Sequence, residues 1–293
     1  MKKYLMIVIA FCSLNSASFA QNADIFKGKA LNFEIRKNFE EAAKNFEEAA
    51  KAYKMHNIVD TLSIYKAGVN YVKVKKFQKA IPFLEKTLAL NYNVNNTSLL
   101  LADAYAEIKK PELAEKILKE AKVKIPGKAM EFDKKLAYLY FNSGQYEKSL
   151  NAFAKLNSLF PDNENYMYLY GYSLERVKKY KKAMAVFKKM QQSFPNGKKA
   201  KRMMAITYVE NTIDDNYNEI NHYNSLSNKN LENYVDTQKR LKAMDSRYEK
   251  ARIMLEGSLR DYPNDPLIIR MLYKVYKKQN NTVKMNQMKK LLK

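Results

Sequence analysis

Tryptophan is absent from this chain of 293 residues, and cysteine occurs once, at Cys12. A chain with one cysteine forms no internal disulfide and holds no thiolate metal centre. Seven glycines and seven prolines are too few to punctuate an all-β fold, in which turns recur every few residues. They are also too few for the glycine-rich phosphate loops of nucleotide-binding α/β domains. The two histidines, His56 and His222, stand in no metal-ligand spacing. No nucleophile elbow and no Cys/His pair is present, and the carboxylates are scattered among lysines as helix-supporting i, i+3 and i, i+4 pairs. No catalytic apparatus is visible, so the expectation is a protein that is not an enzyme and carries no cofactor. What is abundant is apolar material, at 46% of the residues, which is ample for a buried core of long helices joined by short turns.

The first twenty residues stand apart. Lys2 and Lys3 precede a short apolar run from Leu5 to Phe11, and Ser18-Phe19-Ala20 supplies a small-x-small pattern before Gln21. That is the layout of a secretory signal peptide, with cleavage expected between Ala20 and Gln21. The apolar run is shorter than the roughly 18–20 residues needed to span a bilayer. Phe11 before Cys12 does not fit a lipoprotein signal. The expected mature protein begins at Gln21, has no cysteine and no transmembrane segment, and is periplasmic or secreted.

The remainder is periodic. Phe77/Ala80/Leu84, Tyr146/Ser149/Phe153 and Tyr180/Ala183/Phe187 each place an aromatic, a small and a large apolar residue at i, i+3 and i+7, one face of a helix. Pro126, Pro161 and Pro195 follow Leu118, Phe153 and Phe187 by eight residues and end the following turn. A preceding helix carries Gly68/Tyr71, Ala102/Tyr105, Ala137/Tyr140 or Gly171/Leu174, where a small residue lets the helices approach closely.

These residues resemble the tetratricopeptide repeat family, whose helix-turn-helix unit is about 34 residues long. The register runs Ala23–His56, Thr61–Val94, Asn95–Lys128, Met130–Asn163, Glu164–Gly197, Lys198–Leu231 and Glu232–Asp265, with a truncated Pro266–Lys293. The organisation is therefore a signal peptide over 1–20, five well-matched repeats over 21–197, and a degenerate part over 198–293. The resemblance implies an all-α, right-handed superhelical solenoid of seven to eight repeats, with first helices lining a concave groove and a lysine-rich helix from Val283 capping the end. The asparagine-rich stretch 211–231 is expected to be a loop or a frayed second helix, because Asn favours turns and caps. Beyond it, Asn233–Arg260 has no strong breaker before Gly257, and one long helix is expected there.

Carried over position by position, the family's groove falls on Tyr65, Val69 and Lys73, then Leu99, Asp103 and Ala106, then Lys134, Tyr138, Phe141 and Asn142. Tyr168, Tyr172, Arg176, Arg202, Ile206 and Val209 continue it. The tyrosines stand out, because an apolar ring with a polar tip suits an interface. They would equally serve to pack neighbouring helices. The family's carboxylate clamp is not evident, since the first repeat pairs Lys27 with Leu31. The implied function is a non-catalytic protein-interaction scaffold of the cell envelope, binding a peptide or partner helix. The net charge of +23 invites an alternative, a lysine-mediated adaptor to lipid headgroups, polysaccharide or an acidic protein. A plainer reading is a solvated lysine coat. Nucleic acid is not expected as a partner, given export and only eight arginines among 53 basic residues.

Overall fold

The computed structural model describes residues 22–292, so the expected signal peptide, its cleavage point and Cys12 lie outside the described residues. Those residues form fourteen α-helices and one 3-10 turn, with no strand among them. The chain divides into two compact units, one ending at Gly144 and the other beginning at Gln145.

In the first unit, α1 covers residues 22–35 and is followed by α2 (Phe39–Met55), α3 (Thr61–Lys73), α4 (Phe77–Ala89), α5 (Val94–Glu107), α6 (Pro111–Lys124) and α7 (Ala129–Asn142). In the second, α8 (Tyr146–Leu159), α9 (Glu164–Arg176) and α10 (Tyr180–Ser193) keep the 13–14-residue length of the earlier helices. Then α11 (Lys198–Ser225) and α12 (Leu231–Asp261) run to 28 and 31 residues before α13 (Pro266–Lys278) and α14 (Thr282–Leu291).

Small side chains set the helix spacing. Ala80, Ala114 and Ala183 are fully buried, as are Leu84, Leu118 and Phe187 four residues after each. A β-carbon on Gly68 would sit 2.9 Å from Leu84, and one on Gly171 would sit 2.6 Å from the Phe187 ring. Both glycines are therefore required by the close approach of α3 to α4 and of α9 to α10. A second device recurs between successive pairs. A tyrosine of one helix donates its hydroxyl to a carboxylate on another: Tyr71 to Glu47 at 2.5 Å, Tyr140 to Glu115 at 2.9 Å, and Tyr180, at the start of α10, to Asp214 at 2.9 Å. Tyr105 does the same with Glu85, and Tyr276 with Glu256 at 2.5 Å.

The scarcity of glycine is explained at the turns inside each helix pair. The residue that closes them has a positive φ, yet only Gly144 is glycine; Lys37, Lys75, Lys109 and Lys178 adopt φ of 59–61° in its place. A β-carbon in the left-handed region costs about 1 kcal/mol. Lys109→Gly should therefore stabilise the first unit by up to about 1 kcal/mol, read as a rise in its thermal midpoint, whereas Gly144→Ala should do the opposite.

The stretch 211–231 departs from the loop or frayed helix expected of it. Helix α11 continues without a break to Ser225, and only residues 226–230 turn. Propensity was overridden by packing. Thr212, Asn216 and Thr237 are buried between α11 and α12, and the hydroxyls of Thr212 and Thr237 donate to carbonyls one turn back. Asn230 caps α12 by accepting from the Asn233 amide at 2.8 Å. As a result, α11 and α12 form one long hairpin in place of two standard 34-residue pairs.

Candidate functional site

The positions carried over for the groove meet different fates. In the first unit, a cleft of about 450 Å³ opens beside α5, α6 and α7. Its walls come from one face of each first helix. Ala102, Asp103 and Ala106 lie on α5, and Lys135, Tyr138, Leu139 and Asn142 recur at i, i+3, i+4 and i+7 on α7. Leu118 of α6 closes the floor, so the bottom is apolar while Glu107, Lys109 and Asn142 stand at the rim. An ion pair from Lys135 to Asp103 spans the two first helices and fixes both side chains at the mouth. The Ser143 hydroxyl is turned inward, 2.7 Å from the Leu139 carbonyl. Asp103, Ala106, Tyr138 and Asn142 were anticipated from the sequence. Lys109 and Lys135 were not, although Lys135 is three residues before Tyr138 and thus on its helix face.

Elsewhere in the first unit the candidates lie outside the cleft. Tyr65 accepts hydrogen bonds from Asn93 at 3.0 Å and Asn96 at 2.5 Å, and its ring meets Tyr92 edge-on at 5.4 Å. It pins the turn between α4 and α5. Val69, Leu99, Lys134 and Phe141 are half-buried on α3, α5 and α7, outside the residues that line the cleft. Lys73 sits over the Phe39 ring at 4.3 Å.

In the second unit, the Tyr168 and Tyr172 rings on α9 meet at a tilt with centroids 6.1 Å apart, Tyr172 also lies 6.2 Å from Tyr146, and Arg176 covers the Tyr146 ring at 5.4 Å. Burial pushes the hydroxyl titration of Tyr168 and Tyr172 upward. Arg202 is committed to Asp265 at 2.5 Å, and both side chains are largely buried. Asp265 in turn caps α13 by accepting from the amides of Leu267 and Ile268. Burial opposes the ionisation of Asp265, but the Arg202 guanidinium and those amides hold its carboxyl below the usual range. Arg202 is thus an internal tie between α11 and α13, a role invisible in a sequence that separates the pair by 63 positions. Ile206 and Val209, also carried over, are 2% and 0% exposed and belong to the core.

Among the described residues no group of three His, Cys, Asp or Glu side chains is placed to hold a metal ion. No helix among them is long and apolar enough to cross a membrane.

Residues 134–198 match the profile of the tetratricopeptide repeat family. No curated protein matches the chain in sequence. Among solved structures, MamA is 19% identical with a TM-score of 0.50, covering 60% of this chain and 93% of its own. MamA from Desulfovibrio magneticus is 23% identical with a TM-score of 0.49, covering 60% of this chain and 96% of its own. A tetratricopeptide-repeat protein from Bacteroides fragilis is 19% identical with a TM-score of 0.39, covering 88% of this chain and 99% of its own. Proteins of this repeat family bind protein partners. Residues 134–198 are thus similar to the tetratricopeptide repeat family, and helix pairs of the same build flank them.

Proposed function

We propose that the chain is a non-catalytic interaction scaffold of the cell envelope, exported behind its first twenty residues. It holds an extended peptide or a partner helix in the cleft beside α5, α6 and α7. The observation that carries this reading is the cleft itself. It combines an apolar floor with Tyr138 on its wall and a rim of both charge signs, Asp103, Glu107, Lys109 and Lys135. An aromatic ring beside a pocket is the usual anchor of a protein interface, while balanced polar groups at the rim select orientation.

Partner capture tests it. A crosslinking pull-down from native cell envelope should yield a protein bound to the wild-type chain, and Tyr138→Ala should weaken that capture by about 2 kcal/mol, roughly thirtyfold. Exchanging the exposed Lys181 and Lys182 for Ala should change little at physiological salt. A second reading, attachment to an anionic surface through the lysine coat, predicts the reverse: salt and lysine removal abolish binding, and Tyr138→Ala leaves it intact.

A further inference from the structure

The core of the second unit takes in Ile213 on α11 and Met244 on α12, but the hairpin continues past both to the turn at 226–230. In that distal part the usual division of a helix pair is inverted. What lies between the helices is polar: Asn216 and Thr237 are buried there, Arg240 bonds Glu219 at 2.6 Å, and Arg247 bonds Asp215 at 2.7 Å. What points outward is apolar. Tyr217 is 63% exposed, Leu231 75% and Val235 52%, with Ile220 and Tyr234 also exposed.

These outward residues are not scattered. Tyr217 and Ile220 stand at i and i+3 along α11, and Leu231, Tyr234 and Val235 at i, i+3 and i+4 along α12. Tyr223 and Tyr234 meet edge-on at 6.2 Å and join the two stripes on one flank of the hairpin. The other flank carries Asn211, Asn218 and His222 from α11 and Glu232, Asp236 and Lys239 from α12. Asn211 and Asn218 lie on the wet side of an amphipathic hairpin whose dry side has no cover among the described residues.

The charge distribution indicates what covers it. The chain carries 53 basic and 30 acidic side chains, whereas residues 211–245 carry four basic and six acidic. Two copies at +23 repel one another over most of their surface. The distal hairpin is where they can touch without that cost, and a two-fold contact requires a surface that suits itself. We propose that the apolar flank of α11 and α12 packs on the same flank of a second copy, so that two hairpins form a four-helix bundle about a two-fold axis. This does not rest on the cleft of the first unit.

Sedimentation equilibrium on the full chain, purified as the cell processes it, tests the proposal. A dimer is expected at about 10 μM, a modest demand on an apolar contact of this kind. Raising the salt should tighten it, since screening removes the repulsion between the basic bodies. Ile220→Lys with Val235→Lys should weaken the dimer at least about a hundredfold while leaving helical circular dichroism unchanged, because both side chains are exposed. Asn218→Lys, on the opposite flank, should leave it intact. A chain monomeric at about 100 μM, or a dimer that survives the paired lysines, overturns the proposal. Dissociation by Asn218→Lys to the same extent overturns it too, because general repulsion would then govern association.

Discussion

Ala183→Lys should destabilise the second compact unit by about 3–5 kcal/mol, because it drives a charge into a packed interior. Ala183 is fully buried on α10, in one core with Leu174, Phe187, Met190 and Met203. Helices α9 and α10 are already in close contact there: the Phe187 ring leaves no room for a β-carbon on Gly171. For a unit of this size the loss corresponds to a thermal midpoint roughly 10 °C lower or more. Gly171→Ala should act in the same direction by about 1–3 kcal/mol through overpacking alone. Gly28 supplies the contrast. It lies in α1, and an added β-carbon there would meet nothing within 4 Å. Gly28→Ala should therefore stabilise by up to about 1 kcal/mol, the helix-propensity gain with no packing cost. Thermal and denaturant unfolding of the three variants checks the set. Unfolding that is unchanged in Ala183→Lys would mean that the small-and-large pairs do not set the helix spacing.

Those pairs were legible in the sequence because each repeat solves the same problem with the same residues. Gly68 meets Leu84 and Gly171 meets Phe187 at a fixed separation, so periodicity alone exposes the contact. The long α11 was not legible. Its asparagines argue against a helix when scored one by one, and what outweighs them is burial of Thr212 and Asn216 against a helix that begins twenty residues later. The tyrosine–carboxylate bonds escaped for a related reason. Tyr71 and Glu47 are 24 positions apart while Tyr105 and Glu85 are 20 apart, so no constant spacing marks them. The cleft was half visible. Tyr138 and Asp103 share one repeat position on the cleft, whereas Tyr65, one helical turn earlier in its own repeat, is bonded by Asn93 and Asn96. Nothing in the sequence distinguishes an aromatic that anchors a turn from one that lines a cleft; only the neighbour does.

The tyrosine–carboxylate bonds should make stability fall as the pH rises. Burial and the hydrogen bond to Glu47 hold the Tyr71 phenol well above its ordinary value of 10.0, and burial with Glu85 pushes Tyr105 up to about 12. Tyr140, Tyr180 and Tyr276 are raised by burial and by their own carboxylates. A group whose folded titration lies above its unfolded one gives its full stabilisation below the unfolded value and loses it as the pH climbs through the folded one. The contribution is therefore complete below pH 10 and lost above it, at roughly 1.5–3 kcal/mol for each buried bond to a charged acceptor. Glu175 adds an earlier step of the same sign. It is 6% exposed, and burial pushes its carboxyl up to about 7, with Arg176 opposing and Glu210 assisting. Stability should accordingly fall between about pH 4.5 and pH 7 and level off above it, and Glu175→Gln should abolish that first fall while sparing the second. On the acid side the sign reverses. Burial opposes the ionisation of Glu47 and Glu256, but their tyrosine and cationic partners hold both carboxyls below 4.5, so their contribution is lost as the pH drops below that value. A pH series of thermal unfolding, read beside the phenolate absorbance, checks the argument. Of the 22 tyrosines, Tyr71, Tyr105, Tyr140, Tyr180 and Tyr276 should titrate only as the helices melt. A single reversible wave near pH 10, with helicity retained, would show that these bonds do not hold the repeats together.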